Sequence, residues 1–403
     1  MKPYRFSSVA LPYRAILFSL VLASVTCVGV TGAGLAPATL PDGVELASIK
    51  PAPLTRAEAQ ELVRSGYQHY YSMEYEAAER DFRHLVEAEP QSAAAVNHLL
   101  TTALFSQLNR AGALNTSVYA SDRFLALKKQ VKLDSRSRNE IRALMQRALA
   151  ISESRLAAHR DDETALYDRG VTRGLSAIYQ ALVEHSWYSA LKLAMAARRD
   201  HQRVLDLDPM NSDAKTIVGM QTYIAGSLPW AMRTAAIMVG FSGNKERGLK
   251  LLREAAAADG ESTVDAKVAL ALFLRREQRY DDALQVVRFL AGAYPRNFLF
   301  ALEEANVLKD MGRNQDALDA FTNLIASVQQ GAFPAPRVEF AYFGLAEMHR
   351  GRQEFSQAAE AYKAVLRITG IDPELRQRSE SAVREIAEIT ARRAQQASNS
   401  SLL

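Results

Sequence analysis

The stretch GYQHYYSMEYEAAERDFRHLVEAEP, residues 66–90, decides the fold. Gly66 is followed twelve residues on by Ala78, four further by Phe82 and eight further by Pro90. A small residue on one helix opposite a small residue on the next lets two rods touch, and a large side chain one turn later fills the space beyond them. The pattern returns as Ala271, Ala283, Val287 and Pro295, then as Ala305, Ala317 and Phe321, then as Ala346, Ala358 and Tyr362. Ala283 to Ala317 spans 34 residues and Ala317 to Ala358 spans 41; the surplus of seven fits the loop Gln329–Glu339, which carries Pro334 and Pro336. Such recurrence marks stacked helix pairs, each burying its apolar face against its neighbour.

Composition agrees. A chain of 403 residues with 48% hydrophobic and 23% charged residues can bury a sizeable core. It has 20 Gly and 13 Pro, too little punctuation for a many-turned β fold. From about residue 55 onward, apolar positions recur with helical period in runs broken by short connections, so the body reads as all-α.

The residues quoted above resemble the tetratricopeptide repeat family, over 59–92 and 264–370. The sequence departs from the family where no Trp opens the first helix and where Val287 replaces an aromatic. The resemblance implies a right-handed α-solenoid of helix hairpins with a concave protein-binding face and no catalysis of its own. Residues 93–263 read as irregular and helical, with longer helices over Ala93–Asn109, Arg136–Ala158, Glu163–Glu184 and Trp187–Leu207. There Leu207-Asp208-Pro209-x-Asn211, Tyr223, Gly226-Ser-Leu-Pro229, Gly240-x-x-Gly243 and Glu246-x-Gly248 resemble, more weakly, the tetratricopeptide repeat 39 group and its fungal inclusion-clearance relatives. That group is not enzymatic either.

The boundaries expected from this reading are 1–33 as an export signal, 34–54 as a flexible linker, and 55–92 as a first repeat unit. They continue with 93–263 as the irregular region, 264–372 as three C-terminal units, 373–394 as a charged capping helix and 395–403 as a disordered tail. The signal combines Lys2, Arg5 and Arg14 with an apolar run Ala15–Val30 and small residues Thr31-Gly32-Ala33. Cleavage after Ala33 and retention as an anchor both remain open. The sole cysteine, Cys27, lies inside the run, so a cleaved chain has no thiol and forms no disulfide. The net charge of +4 is largely an N-terminal effect, since beyond residue 33 there are 46 basic and 45 acidic residues. A near-neutral body argues against nucleic-acid binding, which needs a concentrated basic face.

Chemistry-bearing motifs are missing from the sequence. No two of the seven histidines lie three or four residues apart, so no helical metal-ligand pair exists within one segment. Gly240-Phe-Ser242-Gly243 is one residue too short for a nucleophile elbow, and Gly243-Asn-Lys245 has neither the upstream glycine nor the strand of a phosphate loop. No cofactor and no metal is expected.

What remains is surface. Carried onto the three C-terminal units, the family's groove positions fall on Val268, Leu272 and Arg275, on Leu302, Asn306 and Lys309, and on Phe343, Glu347 and Arg350. One column is basic and its neighbour apolar. Two readings stand: a groove that accepts an acidic or carboxylate-bearing segment, with Asn306 bonding its backbone, or long cations that merely solvate a helix face. A second candidate is the apolar helix 229–241 with Trp230, Ile237 and Phe241, either core or a patch for a partner or a membrane surface. The whole reads as an exported, monomeric or weakly self-associating scaffold for a protein or peptide partner. The alternatives are a membrane-surface assembly or lipid-associated factor and, less favoured, a helical enzyme with its site in 93–263.

Overall fold

The computed structural model describes residues 54–115, 131–228, 230, 233–234 and 242–400. The expected signal, most of the linker, Cys27, Ile237 and Phe241 lie outside them. Among the described residues every regular element is a helix. The chain divides into two compact units. The first holds α1 (Arg56–Tyr71), α2 (Tyr75–Ala88), α3 (Ala93–Arg110), α4 (Ser135–Ala158), α5 (Glu163–Leu182), α6 (Trp187–Leu207), α7 (Ser212–Ser227) and α8 (Lys245–Ala257). The second holds α9 (Thr263–Arg276), α10 (Tyr280–Ala293), α11 (Phe298–Asp310), α12 (Asn314–Gln329), α13 (Val338–Gly351), α14 (Phe355–Arg367) and α15 (Pro373–Ser400). It also takes in Tyr71–Glu74 and the described residues 106–115, the C-terminal end of α3 included.

Within each unit helices pack on their chain neighbours: α5 on α6 and α7 on α8 in the first, α10 through α15 in sequence in the second. The small-large column of the second helices forms the core. Ala78 and Phe82, Ala283 and Val287, Ala317 and Phe321, and Ala358 and Tyr362 are all buried. A methyl group on Gly66 would collide with the Phe82 ring, which is why the first helix carries glycine there.

The middle of the chain follows the same rule in a disguised form. Ala197, His201 and Pro209 repeat the offsets of Ala78, Phe82 and Pro90, and Gly170 lies under the His201 ring as Gly66 lies under Phe82. The hairpin escapes a 34-residue search because its helices have 20 and 21 residues where α1 and α2 have 16 and 14. One hairpin later, Gly226, Gly243 and Gly248 line the crossing of α7 and α8, where added side chains would meet the backbone of Lys245, Gly226 and Tyr223.

Connections are fixed by local chemistry. Asp162, Asn211, Asn244 and Asn297 each accept a hydrogen bond from a backbone N–H in the first turn that follows. The long connection before α13 is tethered within the second unit: Arg337 donates to the Arg110 carbonyl and the Phe333 ring packs edge-on to Phe298. One boundary is corrected. The last helix does not stop at residue 394 but runs to Ser400, so the tail expected from 395 is helical over most of its length. Between Glu374 and Ser400 there is neither Gly nor Pro, and the run is rich in Ala, Arg, Gln and Glu, all good helix formers.

Candidate functional site

The first helices of the second unit's hairpins are α9, α11 and α13, and α11 packs against α13. Their surface carries the nine candidate groove residues, which the structure sorts into two kinds.

The basic column is engaged internally. Arg275 on α9 is only 4% exposed; its Nη1 reaches both carboxylate oxygens of Glu303 at 3.1 and 3.0 Å, and its Nε donates to Asp310 Oδ2 at 2.8 Å. Burial opposes its charge, and the two carboxylates on α11 outweigh that, holding the guanidinium protonated. Arg350 on α13 likewise reaches forward, with Nη2 2.8 Å from each oxygen of Glu385 on α15. Lys309 between them lies 3.9 Å from Asp310, and burial pulls its pKa below the ordinary lysine value. Arg275 and Arg350 therefore tie their helices to later ones, while among the described residues Lys309 pairs only with its neighbour Asp310 on the same helix. Leu302 is buried in the core, while Val268 and Leu272 are half-buried. Asn306 is 5% exposed, and its amide makes no hydrogen bond among the described residues.

The remaining residues converge. Phe343, Glu347 and Arg350 on α13 face Gln377, Arg378 and Glu385 on α15 across a cleft of about 310 Å³. The Arg378 guanidinium lies 4.5 Å above the Phe343 ring, and the Tyr362 ring meets the same phenyl edge-on at 5.6 Å. Glu347 accepts the Tyr362 hydroxyl hydrogen bond. Arg378 is exposed and has no carboxylate partner among the described residues. The sequence reading missed this half of the cleft because α15 was taken for a solubilising cap alone. Its signal was the spacing of Arg378 and Glu385, seven residues or two turns apart and so on one helix face.

Of the apolar candidate, Trp230 is helical and 77% exposed, and Thr234 Oγ1 donates to its carbonyl at 2.9 Å. No described helix is long and apolar enough to cross a membrane. Among the described residues no group of three or more His, Cys, Asp or Glu is placed to hold a metal ion.

A tetratricopeptide repeat family model matches residues 240–298 and 302–373. No curated protein matches the chain. Among solved structures it is similar to a tetratricopeptide repeat protein of Parabacteroides merdae, at 16% identity, covering 82% of this chain and 99% of that one, with a TM-score of 0.35. It is also similar to MamA of strain AMB-1, at 22% identity over 52% of this chain and 97% of that one, with a TM-score of 0.32. A third is the Cut9-Hcn1 hetero-tetramer of the APC/C, at 14% identity over 86% and 73%, with a TM-score of 0.36.

Proposed function

We propose that this chain, whose residues 240–298 and 302–373 are tetratricopeptide repeats, is an exported scaffold that captures a protein or peptide segment on its second unit. The supporting observation is the cleft of α13 and α15, where an exposed guanidinium stacked on Phe343 has no acid of its own among the described residues. A stacked, unpaired arginine presents donors to a carboxylate while its carbon stem and the phenyl ring cover apolar surface. The occupant is therefore a segment with an acidic side chain or terminal carboxylate next to an apolar residue. Export rests on the basic-apolar-small pattern of residues 1–33.

Selection of displayed random peptides against the purified chain tests this. Enriched peptides are expected to be acidic, and Arg378→Glu is expected to weaken them at least about tenfold, because an attractive charge contact becomes a like-charge repulsion. Equal binding by wild type and variant, or enrichment without acidic preference, overturns the reading. A second reading, peripheral membrane association, draws on the exposure of Trp230. Flotation with anionic vesicles that is lost in Trp230→Ala is its expected signature.

A further inference from the structure

The first unit contains a buried carboxylate with no side-chain partner among the described residues. Asp168 on α5 is 4% exposed, yet its side chain has no hydrogen bond and no ion pair among the described residues; only its backbone carbonyl is used, accepting from Asn97 Nδ2 at 2.9 Å and Thr172 Oγ1 at 2.9 Å. A second carboxylate is brought toward it by the connection between α8 and α9. Ser262 N and Oγ each donate to Asp213 Oδ1 at 2.8 Å, and Ser262 Oγ lies 2.8 Å from Thr216 Oγ1, which pins that connection to α7. Pinned there, the half-exposed Glu261 lies 3.8 Å from His98 Nε2 on α3, next in the chain to Asn97, whose amide reaches the Asp168 carbonyl, and its charge bears on the Asp168 carboxylate.

Arg155, whose charge acts on Asp168, and the two arginines that follow Asp168 on α5 are committed to other carboxylates. Arg155 on α4 binds Asp162 through two hydrogen bonds of 3.0 Å, and Asp162 also caps α5. Arg169 and Arg173, one and five residues after Asp168 on the same helix, both bind Asp200 of α6 at 2.6 and 2.7 Å. His98 accepts or shares a 2.7 Å hydrogen bond with the Tyr67 hydroxyl on α1, and burial pushes its pKa down to about 4, so it brings no charge at neutral pH. Burial, with Glu261 adding and Arg155 opposing, pushes Asp168 up to about 7; Glu261 is raised by burial and by Asp213. An unpaired buried acid is costly, and such a group is accounted for when a ligand supplies the missing partner.

The geometry points to a site that holds the basic side chain of a bound polypeptide between Asp168 and Glu261, with Tyr67 and His98 walling the Glu261 side. Carboxylates are acceptors only, so the ligand must donate. An ammonium or guanidinium fits two carboxylates from two elements, and a guanidinium also suits an aromatic wall. This site lies in the other unit from the acidic-segment cleft and selects the opposite charge.

Titration calorimetry of the full chain tests it with the peptide Gly-Gly-Arg-Gly-Gly, its citrulline counterpart and spermidine. The arginine peptide is expected to bind at least about tenfold more tightly than the citrulline peptide. Asp168→Asn and Glu261→Gln should each remove most of that difference, while Glu87→Gln, at an exposed carboxylate elsewhere on the first unit, leaves it intact. Affinity should rise between pH 6 and 8 as Asp168 gives up its proton, and this rise should vanish in Asp168→Asn. That variant is expected to fold and melt higher at pH 8 than wild type, because a buried unpaired charge has been removed. Equal binding of the citrulline peptide, unchanged binding by Asp168→Asn, or binding of spermidine alone overturns the proposal.

Discussion

Arg275 shows how one side chain changes meaning between sequence and structure. Its position in the first helix marks it as a groove cation, whereas its burial and its bonds to Glu303 and Asp310 make it a clasp between successive hairpins. Removing one partner of a buried pair leaves the other charge stranded, at a cost of about 3–5 kcal/mol. Arg275→Ala is therefore expected to lower stability by roughly that amount in urea unfolding. The triple variant Arg275→Met, Glu303→Leu and Asp310→Asn should recover most of the loss, since it replaces the buried pair by apolar groups of similar volume and also removes the second carboxylate that Arg275 neutralises. Neither helical period nor residue type distinguishes a clasp from a groove cation. The distinction depends on Glu303, 28 residues away, and Asp310, 35 away, being carried by the next hairpin to the same place.

At the scale of the element, the hairpin turn is the feature least visible in the chain. Two residues before the second helix, Met73, His185, Gln278, Gly312 and Gln353 all have left-handed backbones, with φ of 62, 52, 58, 75 and 62°. One of the five is glycine, so the usual marker of that conformation is mostly missing. Gln278→Gly is expected to stabilise the chain by ~0.5–1 kcal/mol, and Gly312→Ala to destabilise it by about the same amount, because nothing but backbone strain separates the two residues there. The α7–α8 crossing behaves differently. Gly248→Ala places a methyl group on the Tyr223 backbone, which cannot retreat as a side-chain tip can, and a loss of about 3 kcal/mol or more is expected in thermal unfolding. The glycines of this crossing are legible in the sequence as a motif, but the close backbone approach that requires them appears only in the folded hairpin.

At the scale of the molecule, the last helix both closes a core and builds a site. Ala382 and Ile386 of α15 cover Ala346, Ala358 and Tyr362, while Arg378 and Glu385 of the same helix form one wall of the cleft. Deleting residues 373–403 should therefore abolish peptide capture and also expose an apolar face, with aggregation rising in light scattering as concentration increases. The sequence by itself determined the all-α class and the repeating hairpins of 264–370, because close helix packing writes small and large residues at fixed offsets along the chain. It also named Phe343, Glu347 and Arg350, which the fold gathers into one cleft. Tertiary structure alone decided that Arg275 is spoken for, that His201 fills the slot of an aromatic, and that among the described residues neither Arg378 nor the buried Asp168 side chain has an ionic partner. The reason is physical: offsets within a helix pair are set locally, whereas whether a charge is neutralised depends on groups brought to it from other hairpins.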